Sequence, residues 1–297
     1  MRVLHLDSGK TMRGGQWQVL ALIAGLRELG VEQMLMTPAG SPLAEKAKAL
    51  DIECVDLGIF RFRSMVGMTE LVHAHDARTH TLAVLQKQKP VIVSRRVAFP
   101  VKQALLSKWK YGRADRFIAV SKFVAAELRK AGIRAEKISV VYDGVSLSDV
   151  AMSRGWIVAP ATDDPAKGSA LLREAGCDVK FSDALPDDLQ YAALLAYITH
   201  SEGLGSAALL AMAAGVPVVA SRVGGLMEVV DHGRTGLLVE NDANQIRSAI
   251  GRILGDPRLA ADMGARGRQR VKELFSADRM VRQTKQIYEE VLACSKH

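Results

Sequence analysis

The chain has 297 residues, 48% of them apolar and 24% charged, a composition typical of a globular protein rather than a disordered or fibrous one. This length exceeds what one hydrophobic core usually supports and predicts two domains of about 150 residues each. The net charge of +8 is uneven: residues 1–150 carry 23 Lys and Arg against 14 Asp and Glu, a net +9, whereas residues 151–297 carry 17 against 18, a net −1.

The cysteines and the apolar stretches bear on the cellular compartment. Cys54, Cys177 and Cys294 have no metal-binding spacing and cannot all pair with one another, which favours a reduced setting. No apolar stretch approaches the roughly 18 residues of a membrane span, and the N-terminal run has no small-residue cleavage site. We expect a cytoplasmic protein that is neither exported nor inserted into a membrane by its own signals.

The first half alternates short apolar runs with amphipathic stretches. Strands are expected at RVLHL, VEQMLM, DIECV, LVHAH, PVIVS, RFIAV and ISVVY. Helices are expected over 15–29, 41–50, 78–88, 101–113 and 121–131. Short β-branched runs between such helices predict a parallel sheet with helices on both faces, so residues 1–147 should form a doubly wound α/β domain.

The same pattern restarts at Trp156. Strands are expected at WIVAP, DVKF, LLAYIT, VPVVAS and GLLVE, and helices over 168–175, 187–192 and 205–214. A helical tail begins at Ala243, breaks near Pro257 and restarts at Ser276. Residues 148–297 should therefore form a second α/β domain, with the last helix, 276–293, packing back toward the first domain.

Sheets of this kind bind ligands beyond the carboxyl ends of their strands, so the strand-to-helix turns are the candidate sites. Four turns are rich in glycine or charge: 7–15, 161–168, 199–206 and 221–228. In the first, Gly9-Lys10-Thr11 imitates the end of a phosphate-binding P-loop, but Leu4 occupies the position of a required glycine. Gly14 and Gly15 precede a long helix whose N–H groups favour an anion; a plain helix start is the alternative.

The turn around Glu202 combines a carboxylate with a glycine-rich helix start. Gly203, Gly205 and Ser206 lie in the first turn of the helix, so exposed N–H groups should face the same crevice as the carboxylate. N–H groups bind phosphate oxygens and a carboxylate accepts sugar hydroxyls, so this combination suits a sugar attached to a phosphate. Taken alone, a glutamate here is equally an ordinary helix cap.

The residues that follow give the turn a family context. The stretch EGLGSAALLAMAAGVPVVASRVGGLME, residues 202–228, resembles the E-G-x-G-x-x-x-x-E-A-M-A-x-G-x-P-V-V-A-S-x-x-G-G-x-x-E pattern of the retaining glycosyltransferases of family 4. The resemblance continues through GRTGLLV and includes Gly14-Gly15, HAH at 73–75 and FIAVSKFVAAELRKAGIRAEKISVVYDGV in the first half. It implies the GT-B fold: two doubly wound Rossmann-like α/β domains facing a cleft, the second domain being reduced.

The resemblance also implies a function. A sugar would pass from a nucleotide diphosphate sugar to a hydroxyl of a glycan or lipid-linked acceptor, with retention and without a metal or other cofactor. Cell-envelope polysaccharide or lipopolysaccharide biosynthesis is the implied setting. Donor-binding residues would be Lys167, Gly203, Leu204, Gly205, Ser206, Gly224, Gly225 and Glu228. The acceptor side would include Gly14, Gly15, Arg95 and Arg96.

Two residues are expected at the reacting sugar. Glu202 would position the sugar without acting as a covalent nucleophile. The rings of His73 and His75 are expected to point to opposite faces of a strand end. By resemblance, His75 approaches the sugar and His73 packs; a purely structural His75 is the alternative.

Two positions depart from the family pattern. Leu210 replaces the second motif glutamate, which takes the ribose hydroxyls, and Thr162 replaces the arginine of the diphosphate-binding pair, although Lys167 matches. Ser206 and Arg222 are candidate replacements for the lost contacts. These departures keep two alternatives open, a non-catalytic nucleotide-sugar or glycan binder and a membrane-surface adaptor.

Positive charge concentrates between Arg95 and Lys122, where eight basic residues face only Asp115. One helical face there would carry Val101, Leu105, Trp109 and Gly112. A cationic amphipathic helix can lie on an anionic membrane, so a peripheral position on the inner face of the membrane is expected. The alternative is a core-facing helix with a solvated basic side. An aromatic content of 5% and the absence of a recognisable module argue against a nucleic-acid partner.

Overall fold

A computed structural model describes residues 1–86, 88–101, 104–149 and 155–295 of the chain. Lys102, one of the basic residues counted above, lies outside the described residues. Among the described helices, none combines the length and the apolar character needed to cross a membrane.

The first sheet consists of seven strands, β1 Arg2–Leu6, β2 Glu32–Thr37, β3 Glu53–Asp56, β4 Leu71–Ala74, β5 Val91–Arg95, β6 Arg116–Ala119 and β7 Ile138–Val140. All neighbours are parallel, in the order β3-β2-β1-β4-β5-β6-β7. The chain runs outward from β1 through β2 and β3, then crosses to β4 and continues in the other direction. The topological switch point of this sheet therefore lies between β1 and β4.

The helices joined to this sheet are α1 Gly14–Glu28, α2 Pro42–Lys48, α3 Ile59–Gly67, α4 Ala77–Ala83, α5 Leu105–Gly112 and α6 Lys122–Lys130. The sequence pattern predicted all of them except α3. This helix is short and buries only Phe62 and Val66, so its apolar stripe is narrow.

The second sheet consists of five parallel strands, β8 Trp156–Pro160, β9 Val179–Ser182, β10 Ala192–Tyr197, β11 Val218–Ser221 and β12 Gly236–Val239. Its order is β12-β11-β10-β8-β9, so the switch point lies between β8 and β10. The helices are α7 Ser169–Glu174, α8 Leu185–Leu189, α9 Ser206–Ala213, α10 Leu226–Val229, α11 Ala243–Leu254 and α12 Pro257–Leu274. Two parallel doubly wound sheets confirm the predicted α/β fold class.

The chain divides into two compact units. One contains residues 1–144 and the residues from Ala277 onward, and the other contains residues 145–276. The last helix, α13 Ala277–Cys294, shares a core with α1, in which Leu22 and Leu26 pack with Val281 and the fully buried Tyr288. The first unit is thus completed by the C-terminal end of the chain.

Candidate functional site

In the second unit, the turns after β8 and β10 meet through an ion pair. Nζ of Lys167, in the turn after β8, donates to Oε2 of Glu202, in the turn after β10, at 2.8 Å. The two side chains are 33% and 16% exposed, so the pair is accessible from solvent. Because β8 and β10 flank the switch point, the pair lies where doubly wound sheets bind their ligands.

Tyr197, the last residue of β10, fixes the carboxylate of Glu202. Its hydroxyl donates to Oε2 at 2.5 Å, and the N–H of Gly203 donates to Oε1 at 3.0 Å. Burial and the neighbouring Glu202 charge raise the pKa of Tyr197 well above its ordinary value, so the phenol stays a donor. Tyr197 was not among the predicted site residues, although it lies at the carboxyl end of a predicted strand.

Gly224 and Gly225 pack closely against the backbone of this turn. The N–H of Gly225 donates to the carbonyl oxygen of Glu202 at 3.0 Å. A Cβ on Gly225 would lie 2.0 Å from the carbonyl oxygen of Gly203, and one on Gly224, whose φ is +49°, would lie 2.1 Å from that of Glu202. Only glycine allows two backbone segments to approach so closely. A donor-binding role for the two glycines stays a prediction.

The start of α9 presents backbone rather than side chains to a ligand. Gly205 precedes the helix, Ser206 begins it, and no side chain of the described residues caps its first N–H groups. Leu204 is buried, so its side chain is not available. Leu210, at the position of the missing glutamate, is partly exposed, whereas its neighbour Leu209 is fully buried.

Other side chains in the second unit hold these turns together. The N–H of Thr199 donates to Oγ of Ser221 at 2.9 Å, and the Ser221 hydroxyl donates to Oδ1 of Asn241 at 2.6 Å. Nδ2 of Asn241 in turn donates to the carbonyl oxygen of Thr199 at 3.1 Å. This closed network joins the ends of β10, β11 and β12. The sequence analysis did not identify it, because its three members come from separate parts of the chain.

The two positions considered around the missing arginine make local contacts. Oγ1 of Thr162 accepts a hydrogen bond from the N–H of Asp164 at 3.1 Å, which shapes the turn that carries Lys167. Arg222 pairs with Glu240 at 3.3 Å and donates to the carbonyl oxygen of Leu238 at 3.2 Å. Arg222 would therefore have to exchange partners before it contacted a phosphate.

In the first unit, buried Asp7 and partly buried Asp76 organise the turn after β1. Both oxygens of Asp7 accept from Gln16 Nε2 at 3.1 Å, and Oδ1 also accepts from the N–H of Gly9 at 2.8 Å. Asp76, after β4, accepts from the N–H of Ser8 at 2.6 Å. Burial raises the pKa of Asp7. The turn is thus fixed from within, while Gly14 begins α1, whose first turn carries no acidic side chain.

The histidines near this turn form a buried cluster with His5. The ring centroids of His73 and His75 are 4.0 Å apart, and Nε2 of His75 lies 3.0 Å from Nδ1 of His5. The expectation that His73 and His75 point to opposite faces is wrong, because residues two apart along a strand share a face. His73 is packed, with its nitrogens bonded to the hydroxyls of Tyr288 at 2.6 Å and Ser94 at 2.8 Å.

Arg96 selects the tautomer of His75. Its Nη1 lies 3.5 Å from Nδ1 of His75, and its Nε pairs with buried Asp143 at 3.1 Å. Since arginine only donates, Nδ1 of His75 is the acceptor, and Nε2–H points to His5. Burial, followed by the neighbouring His73, lowers the pKa of His75 well below its ordinary value, so the ring is neutral.

Three imidazoles so close together raise the question of a metal. One nitrogen from each of His5, His73 and His75 lies within 4.8 Å of the others. A cation would, however, have to displace the hydroxyls bonded to His73, break the His5–His75 hydrogen bond and tolerate the adjacent guanidinium of Arg96. The residues present therefore fit a hydrogen-bonded cluster better than a metal centre.

Arg95, predicted with Arg96 on the acceptor side, has a different environment. Its Nη1 donates to the hydroxyl of Tyr111 at 2.6 Å, and its Nη2 donates to the carbonyl oxygen of Phe99. These contacts tie the loop after β5 to α5. Of the two arginines, Arg96 is the one that lies beside His75.

Two family models match the chain one after the other. The model described as Glycosyltransferase Family 4 matches residues 12–149, and the model described as Glycosyl transferases group 1 matches residues 162–270.

Curated relatives include two synthases and a mannosyltransferase. The N-acetyl-alpha-D-glucosaminyl L-malate synthase of Bacillus anthracis is 36% identical over 116 residues, 39% of this chain and 30% of that protein. The alpha-maltose-1-phosphate synthase of Mycolicibacterium smegmatis is 44% identical over 99 residues, 31% and 26% of the two chains. The GDP-mannose-dependent alpha-(1-6)-phosphatidylinositol monomannoside mannosyltransferase of the same species is 45% identical over 96 residues, 28% and 25%. The matches thus span a quarter to a third of these relatives' own length.

Solved structures share the fold over the whole chain. Anabaena Alr3699/HepE in complex with UDP and glucose has a TM-score of 0.86 at 17% identity and covers 98% of this chain and 100% of that one. Sucrose-phosphate synthase from Thermosynechococcus elongatus has a TM-score of 0.82 at 20% identity and covers 99% of each chain. At such identities the likeness concerns the fold alone.

Proposed function

The chain belongs to the family 4 glycosyltransferases of GT-B fold, and on that basis we propose that it transfers a sugar from a nucleotide diphosphate sugar to an acceptor hydroxyl. The observation that carries the proposal is the Lys167–Glu202 pair at the second switch point, beside the uncapped start of α9. A UDP-sugar is the first donor to test, since HepE structures contain UDP or UDP-glucose.

The pair supplies a positive charge, Lys167, for the diphosphate and a carboxylate, Glu202, for the sugar. As the sugar bond breaks, negative charge accumulates on the departing diphosphate, and Lys167 together with the first N–H groups of α9 offsets it. Lys167 must leave Glu202 to do so, and its exposed position permits this movement. Glu202, still held by Tyr197 and Gly203, then accepts sugar hydroxyls.

Retention of configuration is part of the proposal. Both oxygens of Glu202 already accept hydrogen bonds from Tyr197 or Gly203, which suits positioning of the sugar better than covalent attack. An acceptor hydroxyl attacking from the side on which the diphosphate departs would give retention. Gly203, Leu204, Gly205 and Ser206 would offer backbone to the donor, and Gly224, Gly225 and Glu228 would complete its site.

We place the acceptor on the first unit, near Gly14-Gly15, His75 and Arg96. Neutral His75, held between Arg96 and His5, would contact the acceptor through an uncharged ring. A lipid-linked acceptor is supported by the relative whose printed name specifies phosphatidylinositol monomannoside. A cytoplasmic role in cell-envelope glycan synthesis, independent of metal, completes the proposal.

A non-catalytic nucleotide-sugar binder is the second candidate. Leu210 and Thr162 favour it, because the family uses a glutamate and an arginine at these positions to hold the donor. Losing one charged hydrogen bond costs about 1.5–3 kcal/mol, which weakens donor binding without abolishing it. A membrane-surface adaptor without activity is the outcome if neither turnover nor nucleotide binding is found.

The test is a donor screen on the full chain. Hydrolysis and transfer are measured with UDP-, GDP- and ADP-sugars, with and without EDTA. We expect turnover of one donor, unaffected by the chelator, and at least about a 10²-fold loss in Lys167→Ala. Lys180→Ala is the matched control, because Lys180 pairs with Asp188 at 2.6 Å in the same unit, away from the switch point. Nucleotide binding without turnover would favour the second candidate.

A further inference from the structure

The carboxyl edge of the first sheet carries apolar side chains that the fold leaves uncovered. Helix α5 buries none of its residues, and Leu105 and Leu106 are 84% and 80% exposed. Phe99, in the loop after β5, is 67% exposed. Ile59 and Phe60, at the start of α3, are exposed at the same edge. Isolated apolar residues on a surface are ordinary, but several in one segment mark an interaction site.

The C-terminal half of α5 is firmly attached to the unit. The ring of Tyr111 contacts His80 edge-on at 4.9 Å and stacks on Phe117 at 5.5 Å between centroids. Lys110 Nζ donates to the carbonyl oxygen of Ala77 at 2.5 Å, and Arg113 Nε donates to that of Val84 at 2.8 Å. These contacts hold the C-terminal half of α5 against the unit through one side of the helix. The helix is anchored by its polar and aromatic residues, while its leucines stay in solvent.

Basic side chains accompany the exposed leucines. Lys108 is exposed on α5, next to Trp109, and lines a groove of about 410 Å³ together with Lys130 and Tyr111. Lys130 is paired with Glu127 at 2.7 Å, which leaves Lys108 as the main cation of the groove. Asp115 is the only acidic residue from Arg95 to Lys122. The segment therefore combines apolar and cationic character with almost no opposing charge.

We propose that Val97, Phe99, Leu105, Leu106 and Trp109, with Lys108, form a docking edge for an anionic lipid bilayer. The charge decides the occupant: apolar side chains enter the acyl boundary, while the cations stay beside lipid phosphates. The proposal goes beyond glycosyl transfer and does not require it. If the proposed function holds, docking would bring the edge that carries His75 and Arg96 to acceptors at the membrane surface.

The test is flotation of the full chain with vesicles. Phosphatidylcholine vesicles are compared with vesicles in which about a third of the lipid is phosphatidylglycerol. We expect binding only to the anionic vesicles, weakening as salt is raised. Leu105→Ser combined with Leu106→Ser should weaken binding at least about tenfold. Leu85→Ser is the matched control, since Leu85 is 56% exposed and lies just after α4, outside the docking edge.

Charge is tested in the same way. Lys108→Glu should weaken binding severalfold, whereas Lys48→Glu, an equal charge change at the exposed end of α2, should not. Equal binding to neutral vesicles, no binding at all, or an unchanged double-leucine variant would overturn the proposal. So would a dimer in sedimentation that disappears in the double-leucine variant, because a second copy would then cover the edge. Donor hydrolysis measured without vesicles keeps this result separate from failure of the proposed function.

Discussion

The switch points of the two sheets occupy equivalent positions but are built from different chemistry. At the first, His5 bonds to His75, His75 to Arg96 and Arg96 to Asp143, while buried His73 packs against His75; the Arg96 and Asp143 side chains are 13% and 7% exposed. At the second, an accessible Lys167–Glu202 pair rests on backbone segments that glycines bring together. Charges in the first are desolvated and fixed, whereas those in the second can exchange partners. The same sheet topology thus provides a rigid polar site in one unit and a polar site with exchangeable partners in the other.

As the pH is lowered, the structure around the first switch point should be destabilised before that around the second. Burial is the main cause that lowers the pKa of His5 and of His80 to about 3, and it also lowers those of His73 and His75. Below the ordinary pKa of 6.5 the unfolded chain therefore binds more protons than the folded one, and stability falls as pH falls. Between pH 6 and 5, His5 and His80 alone should cost the first unit roughly 2 kcal/mol, and His73 and His75 add to this loss.

Hydrogen exchange read strand by strand is the measurement. We expect amides of β1 and β4 to lose protection at a higher pH than those of β8 and β10. If both units lost protection together, the histidine cluster would not be the acid-sensitive element.

An added methyl group should destabilise the glycine pair of the second unit but not that of the first. Gly225→Ala places a Cβ 2.0 Å from a carbonyl oxygen and should cost at least about 3 kcal/mol, lowering the melting temperature by roughly 10 °C. Gly15→Ala, in the first turn of α1, meets nothing within 4 Å and should be neutral or stabilising by about 0.5 kcal/mol. Thermal melts check both. Equal melts for the two variants would contradict the close packing described for the second switch point.

Glu202→Gln tests whether Lys167 can exchange Glu202 for the diphosphate of the donor. The amide keeps the size of the side chain but releases Lys167, so UDP binding should be maintained or tightened while donor turnover falls about 10²-fold. Titration calorimetry and kinetics separate the two effects. Asp188→Asn, which releases Lys180 from its pair away from the switch point, is the control and should leave turnover unchanged. A parallel loss of binding and turnover in Glu202→Gln would mean that the pair acts only as a structural unit.

The smallest effect is expected at Leu210. Because this side chain is partly exposed, Leu210→Glu should leave the melt unchanged and tighten nucleotide binding by up to about tenfold. Leu254→Glu, at the end of α11, carries the same change away from the switch point and should leave binding unaltered. A collapsed melt in Leu210→Glu would show that the second unit depends on the leucine.

Several features of the fold follow from local sequence. Apolar runs of four to six residues between amphipathic stretches predicted every strand of both sheets, because such runs are typical of strands buried on two faces. The order of motifs from Glu202 to Glu228 predicted the family, which the two family models confirm. No helix was predicted over 59–67, where α3 is short and buries only Phe62 and Val66.

Only the tertiary structure decided which groups meet. Lys167 and Glu202 are 35 residues apart, His5 and His75 are 70 apart, and His73 and Tyr288 are 215 apart. The sequence by itself determined the strands, most of the helices and the family, since these depend on neighbours along the chain. Strand order and burial determined the partners of each charge, because hydrogen bonds and ion pairs across a sheet edge leave no local periodicity. The sequence indicated no partner for the carboxylate of Glu202. In the structure it forms an ion pair with Lys167 and accepts a hydrogen bond from Tyr197.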